Sequence, residues 1–207
     1  MIQVKQETFS SMNNNAYLIV DEATNKSALV DCPLFDEKME ALIGDTDLQY
    51  ILLTHGHFDH IIGTKAVKEK YAPKVVISAE DKAMLTSSKL SLAAFCGAQQ
   101  NNLECDLVVH DKDVISLGES EIKVLSTPGH TKGSVCYLVD DYLFSGDTLF
   151  YCSCGRTDFP SGSESEMRSS LKRLASLEGD YYVMTGHDRC STLDFERKNN
   201  SCIGNLI

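Results

Sequence analysis

The strongest constraint in this chain is a short apolar run that breaks into a histidine-rich turn. Tyr50, Ile51, Leu52 and Leu53 read as a buried strand, and Thr54-His55-Gly56-His57-Phe58-Asp59-His60 follows it directly. Ile61, Ile62, Ala66 and Val67 then trace the face of a helix expected to run to about Tyr71. Three of the chain's 6 histidines therefore sit, with a carboxylate, where a sheet ends and solvent begins. Four donors in six residues crowd too closely to converge on one tetrahedral ion. His55 and His57 alternate along an extended turn and point one way, while Asp59 and His60 at the helix start point another. That arrangement suits two adjacent metal ions.

The surrounding pattern alternates short strands with helices. Strands are expected at 16–20, 27–31, 74–78, 113–117, 122–125, 135–139, 142–144 and 181–184. Helices are expected at 35–43 and 163–177, with a helical tail from Thr192. Such a succession implies helices packed against sheet, an α/β class, and no linker divides residues 1–207 into separate domains. From 79 to 105 the sequence is polar and poorly periodic, so short helical pieces and loop are expected, with Leu85, Leu90, Leu92 and Phe95 closing the core. Three later strands each end in a metal-ligand type: His130 after Thr127-Pro128-Gly129, Asp147 after Ser145-Gly146, and His187 after Thr185-Gly186. His110, beside Asp111-Lys112-Asp113, is expected to face solvent.

Charge and cysteine usage narrow the function classes. A net charge of -11 argues against nucleic acid, whose phosphates require clustered Lys and Arg. A small anionic substrate stays open, because a metal centre reverses the local field. The start of the chain shows no apolar signal region, and no apolar run approaches membrane-spanning length, so a cytoplasmic protein without a membrane partner is expected. The 8 cysteines are then expected to be reduced. Cys152-Ser153-Cys154 has a one-residue spacer unlike that of structural zinc motifs, which favours a structural or incidental role.

The ordered set His55-x-His57-x-Asp59-His60, His130, Asp147 and His187 resembles the metallo-β-lactamase superfamily over nearly the whole chain. The resemblance implies an αβ/βα sandwich of two mixed sheets packed face to face with helices outside. It implies His55, His57 and His130 on one metal, Asp59, His60 and His187 on a second, and Asp147 bridging them. Zinc suits His and Asp donors without redox chemistry, so two Zn2+ are expected, with iron possible at either position. Asp59 is then also the catalytic candidate, orienting a bridging hydroxide.

Within the superfamily the lactamases proper usually carry cysteine where Asp147 stands, flavodiiron members carry glutamate at the place of His57, and nucleolytic members carry a large insert. The motifs around Thr127–Ser134, Ser145–Phe150 and Gly155–Pro160 resemble the glyoxalase II-like thioester hydrolases, as does the spacing of Thr192, Glu196 and Asn200, although Ser201 stands where proline is usual. Full-length glyoxalase II adds a helical domain that supplies basic residues to glutathione, and the chain ends about where that domain would begin. Arg156 becomes the candidate for an anionic substrate group, with an ion pair to Asp158 as its plainer role. The resemblance implies hydrolysis of S-2-hydroxyacylglutathione or related small thioesters. Gly155-Arg156-Thr157-Asp158-Phe159 also resembles the persulfide dioxygenase branch, which implies one iron on His55, His130 and Asp147. A non-catalytic metal- or redox-sensing module using the cysteines is the reading furthest from this donor set.

Overall fold

The computed structural model describes residues 1–9, 12–100 and 102–204. Alternation of side chains along each strand explains its layering, since successive residues of a strand face opposite sides. In β2 (Asn14–Asp21) every residue is buried. Its Tyr17 and Ile19 face the partner sheet, whereas Leu18 and Val20 face helices. The first sheet runs β1 (Ile2–Phe9), β2, β3 (Lys26–Val30), β4 (Asp47–Leu52), β5 (Lys74–Ser78), β6 (Leu107–Val109) in that order. The second runs β14 (Ser191–Thr192), β13 (Tyr182–Thr185), β10 (Tyr142–Gly146), β9 (Val135–Val139), β8 (Ser120–Ser126), β7 (Val114–Leu117). β11 (Leu149–Phe150) and β12 (Ser153–Cys154) form a small separate ribbon.

The central layer joins the sheets through Tyr17, Val30, Leu52 and Val76 from one and Leu117, Val124, Tyr137 and Phe144 from the other. Tyr17 meets Phe144 edge to face across it, with ring centroids 5.4 Å apart. Outside the first sheet lie α1 (Glu37–Ile43) and α3 (Thr64–Tyr71), contributing Met39, Leu42, Ile43 and Val67. Outside the second lie α5 (Glu164–Ala175), α6 (Leu193–Asn199) and α7 (Ser201–Gly204), contributing Met167, Leu171, Leu174, Leu193 and Ile203. This is the expected four-layer αβ/βα sandwich of two mixed sheets. No described helix is long and apolar enough to cross a membrane.

Several expectations are corrected. The single helix expected from about Asp59 to about Tyr71 is two, α2 (Phe58–Ile61) and α3, because the backbone of Gly63 packs against residues 32–34. Gly63 N donates to Cys32 O at 2.9 Å, and a Cβ there would lie 2.6 Å from the Leu34 carbonyl carbon. β1 is a strand that the polar residues Gln3, Lys5, Gln6 and Glu7 concealed; it is an edge, held by backbone pairing to β2, where charge is tolerated. Of the four apolar residues expected to close the core in 79–105, Leu85 and Leu92 are buried, but Leu90 and Phe95 are exposed. α4 (Ala93–Cys96) is too short to turn both of its sides inward. His110 is exposed, as expected.

Candidate metal centre

Parallel strands β3, β4 and β5 end on the same side of the sandwich as β8, β10 and β13, so six strand ends converge there. The β4 end delivers His55 and His57, and α2 carries Asp59 and His60. The ends of β8, β10 and β13 deliver His130, Asp147 and His187. Three groups of donors lie within 4.8 Å of one another: His55, His57 and His130; His55, His60 and Asp147; Asp59, His60 and His187. All seven sequence candidates thus meet in one cluster, and no cysteine joins these groups among the described residues.

The distances place Asp147 between the two halves. Its Oδ2 lies 3.4 Å from both His130 Nε2 and His187 Nε2, and its Oδ1 lies 3.4 Å from His60 Nε2. Asp59 Oδ2 lies 3.5 Å from His187 Nε2 and 3.7 Å from His60 Nε2. The turn after β13 and the residue after β12 pack around Asp147 so closely that only glycine fits beside it. A Cβ at Gly186 would lie 2.3 Å from Asp147 Oδ1, and one at Gly155 would lie 1.8 Å from Asp147 O.

Outer hydrogen bonds orient the rings. His60 Nδ1 faces Asp31 Oδ2 at 2.8 Å, His130 Nδ1 faces Arg156 O at 2.8 Å, and His187 Nδ1 faces Met12 O at 2.8 Å. Each acceptor requires the proton on Nδ1, which leaves an Nε2 lone pair aimed into the cluster. His55 Nδ1 lies 3.1 Å from Thr54 Oγ1, whose own proton goes to Asp31 Oδ2 at 2.8 Å. His55 Nε2 and Asp147 Oδ1 are then buried with no hydrogen-bond partner. His57 Nδ1 and His130 Nε2 face one another at 2.9 Å. The orphaned His55 Nε2, His57 Nε2 and Asp147 Oδ1, buried beside the other donors, are costly unless a cation lies among them. The donor set therefore fits divalent metal.

Electrostatics agree. Burial pushes His57 down to about 3 and His55 well below its usual value, so both are neutral donors at neutral pH, as metal binding requires. Burial also pushes His60 down, but Asp147, Asp59 and Asp31 override it and raise it to about 10, so in the absence of a cation His60 carries a second proton, on Nε2, that metal binding would displace. Burial pushes Asp147 up, yet the imidazoles of His60, His187, His55 and His130 hold it well below the usual carboxylate range.

Three groups escaped the sequence reading. Asp31, at φ 56, closes β3 and accepts from Thr54 N, Thr54 Oγ1 and His60. Asp81 accepts from Gly56 N at 3.0 Å, Thr131 Oγ1 at 2.7 Å and Gly133 N at 2.9 Å, tying the His55/His57 turn to the His130 turn. Residues 12–15, leading into β2, clasp two ligand segments: Asn14 Nδ2 donates to Asp59 Oδ2 on α2 at 3.0 Å, and Asn15 Nδ2 to Thr185 O at the end of β13 at 3.0 Å. The one local signal was the run Asn13-Asn14-Asn15, which has no period to interpret. Arg156 takes its plainer role: Nε and Nη2 each reach an Asp158 carboxylate oxygen at 2.7 Å, at the cavity mouth.

The metallo-beta-lactamase superfamily model matches residues 12–187. A hydroxyacylglutathione hydrolase of Pelagibacter ubique is 32% identical over 180 residues, 85% of this chain and 67% of that enzyme. Among solved structures, BLEG-1 B3 metallo-beta-lactamase superposes with TM-score 0.91 at 26% identity, over 97% of this chain and 99% of that one. ETHE1 from Myxococcus xanthus superposes with TM-score 0.81 at 30% identity, over 98% of this chain and 85% of that one. By its fold, its donors and this match, the chain belongs to the metallo-beta-lactamase superfamily, as a hydrolase-type member with a His/Asp metal-binding cluster.

Proposed function

We propose that the chain hydrolyses small thioesters, of the S-2-hydroxyacylglutathione type or related to it, with two divalent ions, zinc first and iron second. His55, His57 and His130 would hold one, Asp59, His60 and His187 the other, and Asp147 both. The observation that carries this reading is the placement of one Asp147 oxygen 3.4 Å from both His130 and His187. When bound, such a pair of ions lowers the pKa of a shared water and polarises a carbonyl.

The chain's own residues supply orientation and exclusion of water. Asp31, Met12 O and Arg156 O fix three imidazole tautomers, and Asn14 fixes the Asp59 carboxylate. Asp59, at the open side of the cluster, accepts a hydrogen bond from the nucleophile and so aims its lone pair at the thioester carbonyl. Phe58, Phe150 and Phe159 line the approach and shield it. The similarity to hydroxyacylglutathione hydrolases supports the thioester class.

The test is elemental analysis of protein purified without added metal, joined to steady-state assays on the same samples. About two ions per chain and turnover of S-lactoylglutathione with poor saturation are expected. A reproducible single iron, with oxygen consumed on persulfide addition, would establish the dioxygenase reading on His55, His130 and Asp147. Rapid β-lactam turnover with inert thioesters would replace the thioester class, an outcome worth including because of the BLEG-1 likeness.

A further inference from the structure

Beside the donor cluster lies a cavity of about 470 Å³, within the range of small-molecule sites. Away from the donors its walls are mostly apolar, with Met12, Phe58, Leu92, Phe150 and Phe159, and Ser153, Cys154 and Cys96 beside them. The one Lys or Arg among its described lining residues is Arg156, an exposed guanidinium that Asp158 meets through two bonds of 2.7 Å and that lies 3.9 Å over the Phe159 ring. A ligand arm carrying carboxylates meets a charge that Asp158 already offsets, while an apolar arm finds aromatic and aliphatic walls.

Leu92 is the unusual wall. Its backbone is left-handed, φ 68, a conformation that favours glycine, yet the residue is a leucine with only 7% of its surface exposed. Residues held in such regions cluster at ligand clamps, where the surroundings fix them. Here the fixing contacts are visible. Phe58 N, in the metal-donor turn, donates to Ser91 O at 2.8 Å, and Ser91 Oγ donates to Gln100 Oε1 at 2.6 Å. Phe95 N closes the turn onto Leu92 O at 3.0 Å. The strain thus places an isobutyl group on the cavity wall, anchored to the turn that carries His57 and Asp59.

We propose that this cavity selects thioesters whose arm is uncharged and apolar over the charged glutathione arm, with Leu92 as the specificity-determining wall; the proposal rests on the thioester reading above and narrows it. The binding test uses non-hydrolysable thioethers, S-butyl- and S-hexyl-N-acetylcysteamine against S-hexylglutathione, by titration calorimetry on metal-loaded and metal-stripped protein. The neutral hexyl compound should bind at least roughly tenfold more tightly than its glutathione counterpart, with affinity rising about threefold to fourfold per added methylene. Leu92→Gly relieves the left-handed backbone but deletes a largely buried side chain, so Tm should fall by several degrees while the protein stays folded and binds metal, and the chain-length dependence should flatten. Equal or tighter binding of S-hexylglutathione, no binding of any thioether, or an unchanged chain-length dependence in Leu92→Gly would overturn the proposal. Hydrolysis of hexanoyl-N-acetylcysteamine and S-lactoylglutathione separates the two readings. If neither is hydrolysed while the thioethers keep their order, the thioester reading fails and the apolar cavity stands. If S-lactoylglutathione is the better substrate by kcat/KM, the cavity proposal fails and the thioester reading stands.

Discussion

Asp59 is where ligand and nucleophile-orienting roles separate most cleanly. Its Oδ2 reaches two imidazoles of one donor group and is steadied by Asn14, so asparagine keeps the shape and loses the charge. Asp59→Asn should fold normally, weaken the second ion more than the first, and lower kcat by roughly a hundredfold or more with KM little changed. Steady-state thioester hydrolysis and metal content on the same samples check this; wild-type kcat with both ions bound would remove the orienting role. Exposed His110→Gln is the matched control, because Phe58, the nearer neighbour, lines the cavity. At this scale the sequence was most legible. Seven donors announced themselves by type and by position at strand ends, since a turn after an apolar run is a local pattern. Asp31 was legible only as a strand end before Pro33, because its partners Thr54 and His60 lie 23 and 29 residues away.

Elements hold the donors through their connections, and Asp81 is the joint that matters. It stands between β5 and the short helical turn at Lys82–Leu85, buried, and gathers three donors from two ligand turns. Asp81→Ala would leave Gly56 N and Gly133 N unsatisfied and should cost roughly 3 kcal/mol or more. Metal affinity should fall by about 10- to 100-fold as the His55/His57 and His130 turns loosen. Urea denaturation and chelator competition measure the two effects, and an unchanged affinity would show that the turns hold themselves. α1 offers a smaller, independent check. Asp36 caps it through Lys38 N and Met39 N, and Asp36→Ala should lower stability by about 1 kcal/mol without touching metal content. Most strands and helices followed from period, but β1, β6, the two-residue strands β11, β12 and β14, the break at Gly63 and the wall at Leu92 did not. Each is fixed by a neighbour's backbone rather than by its own pattern of apolar residues.

Across the whole molecule, Asp21 fastens one edge of the first sheet to the β7–β8 turn of the second, accepting from Ser120 Oγ at 2.8 Å and Glu119 N at 3.1 Å. The Ser120 bond, with those from Thr24 and Glu119, outweighs burial and lowers its carboxyl to about 2. A folded pKa below the unfolded value means that this stabilisation is complete above about pH 4 and is lost as pH falls through about 2. The urea midpoint of wild type minus that of Asp21→Asn should therefore be positive and flat from pH 5 to 7 and shrink below about pH 4. A gap independent of pH would assign the effect to shape alone. Residues 12–15 have a different reach. Met12 O, Asn14 and Asn15 meet His187, Asp59 and Thr185, and the Asn15 and Met12 contacts span 170 and 175 residues of chain. Contacts between segments so distant close last, because the loop entropy they spend is recovered only after both sheets exist. In vectorial synthesis the cage thus stays open until the His187 turn is made and docks on a strand whose Asn15 lies 170 residues before Thr185. Far-UV ellipticity should accordingly recover before tight metal uptake in refolding, so that the ion is acquired by a finished sandwich and not by a nascent one.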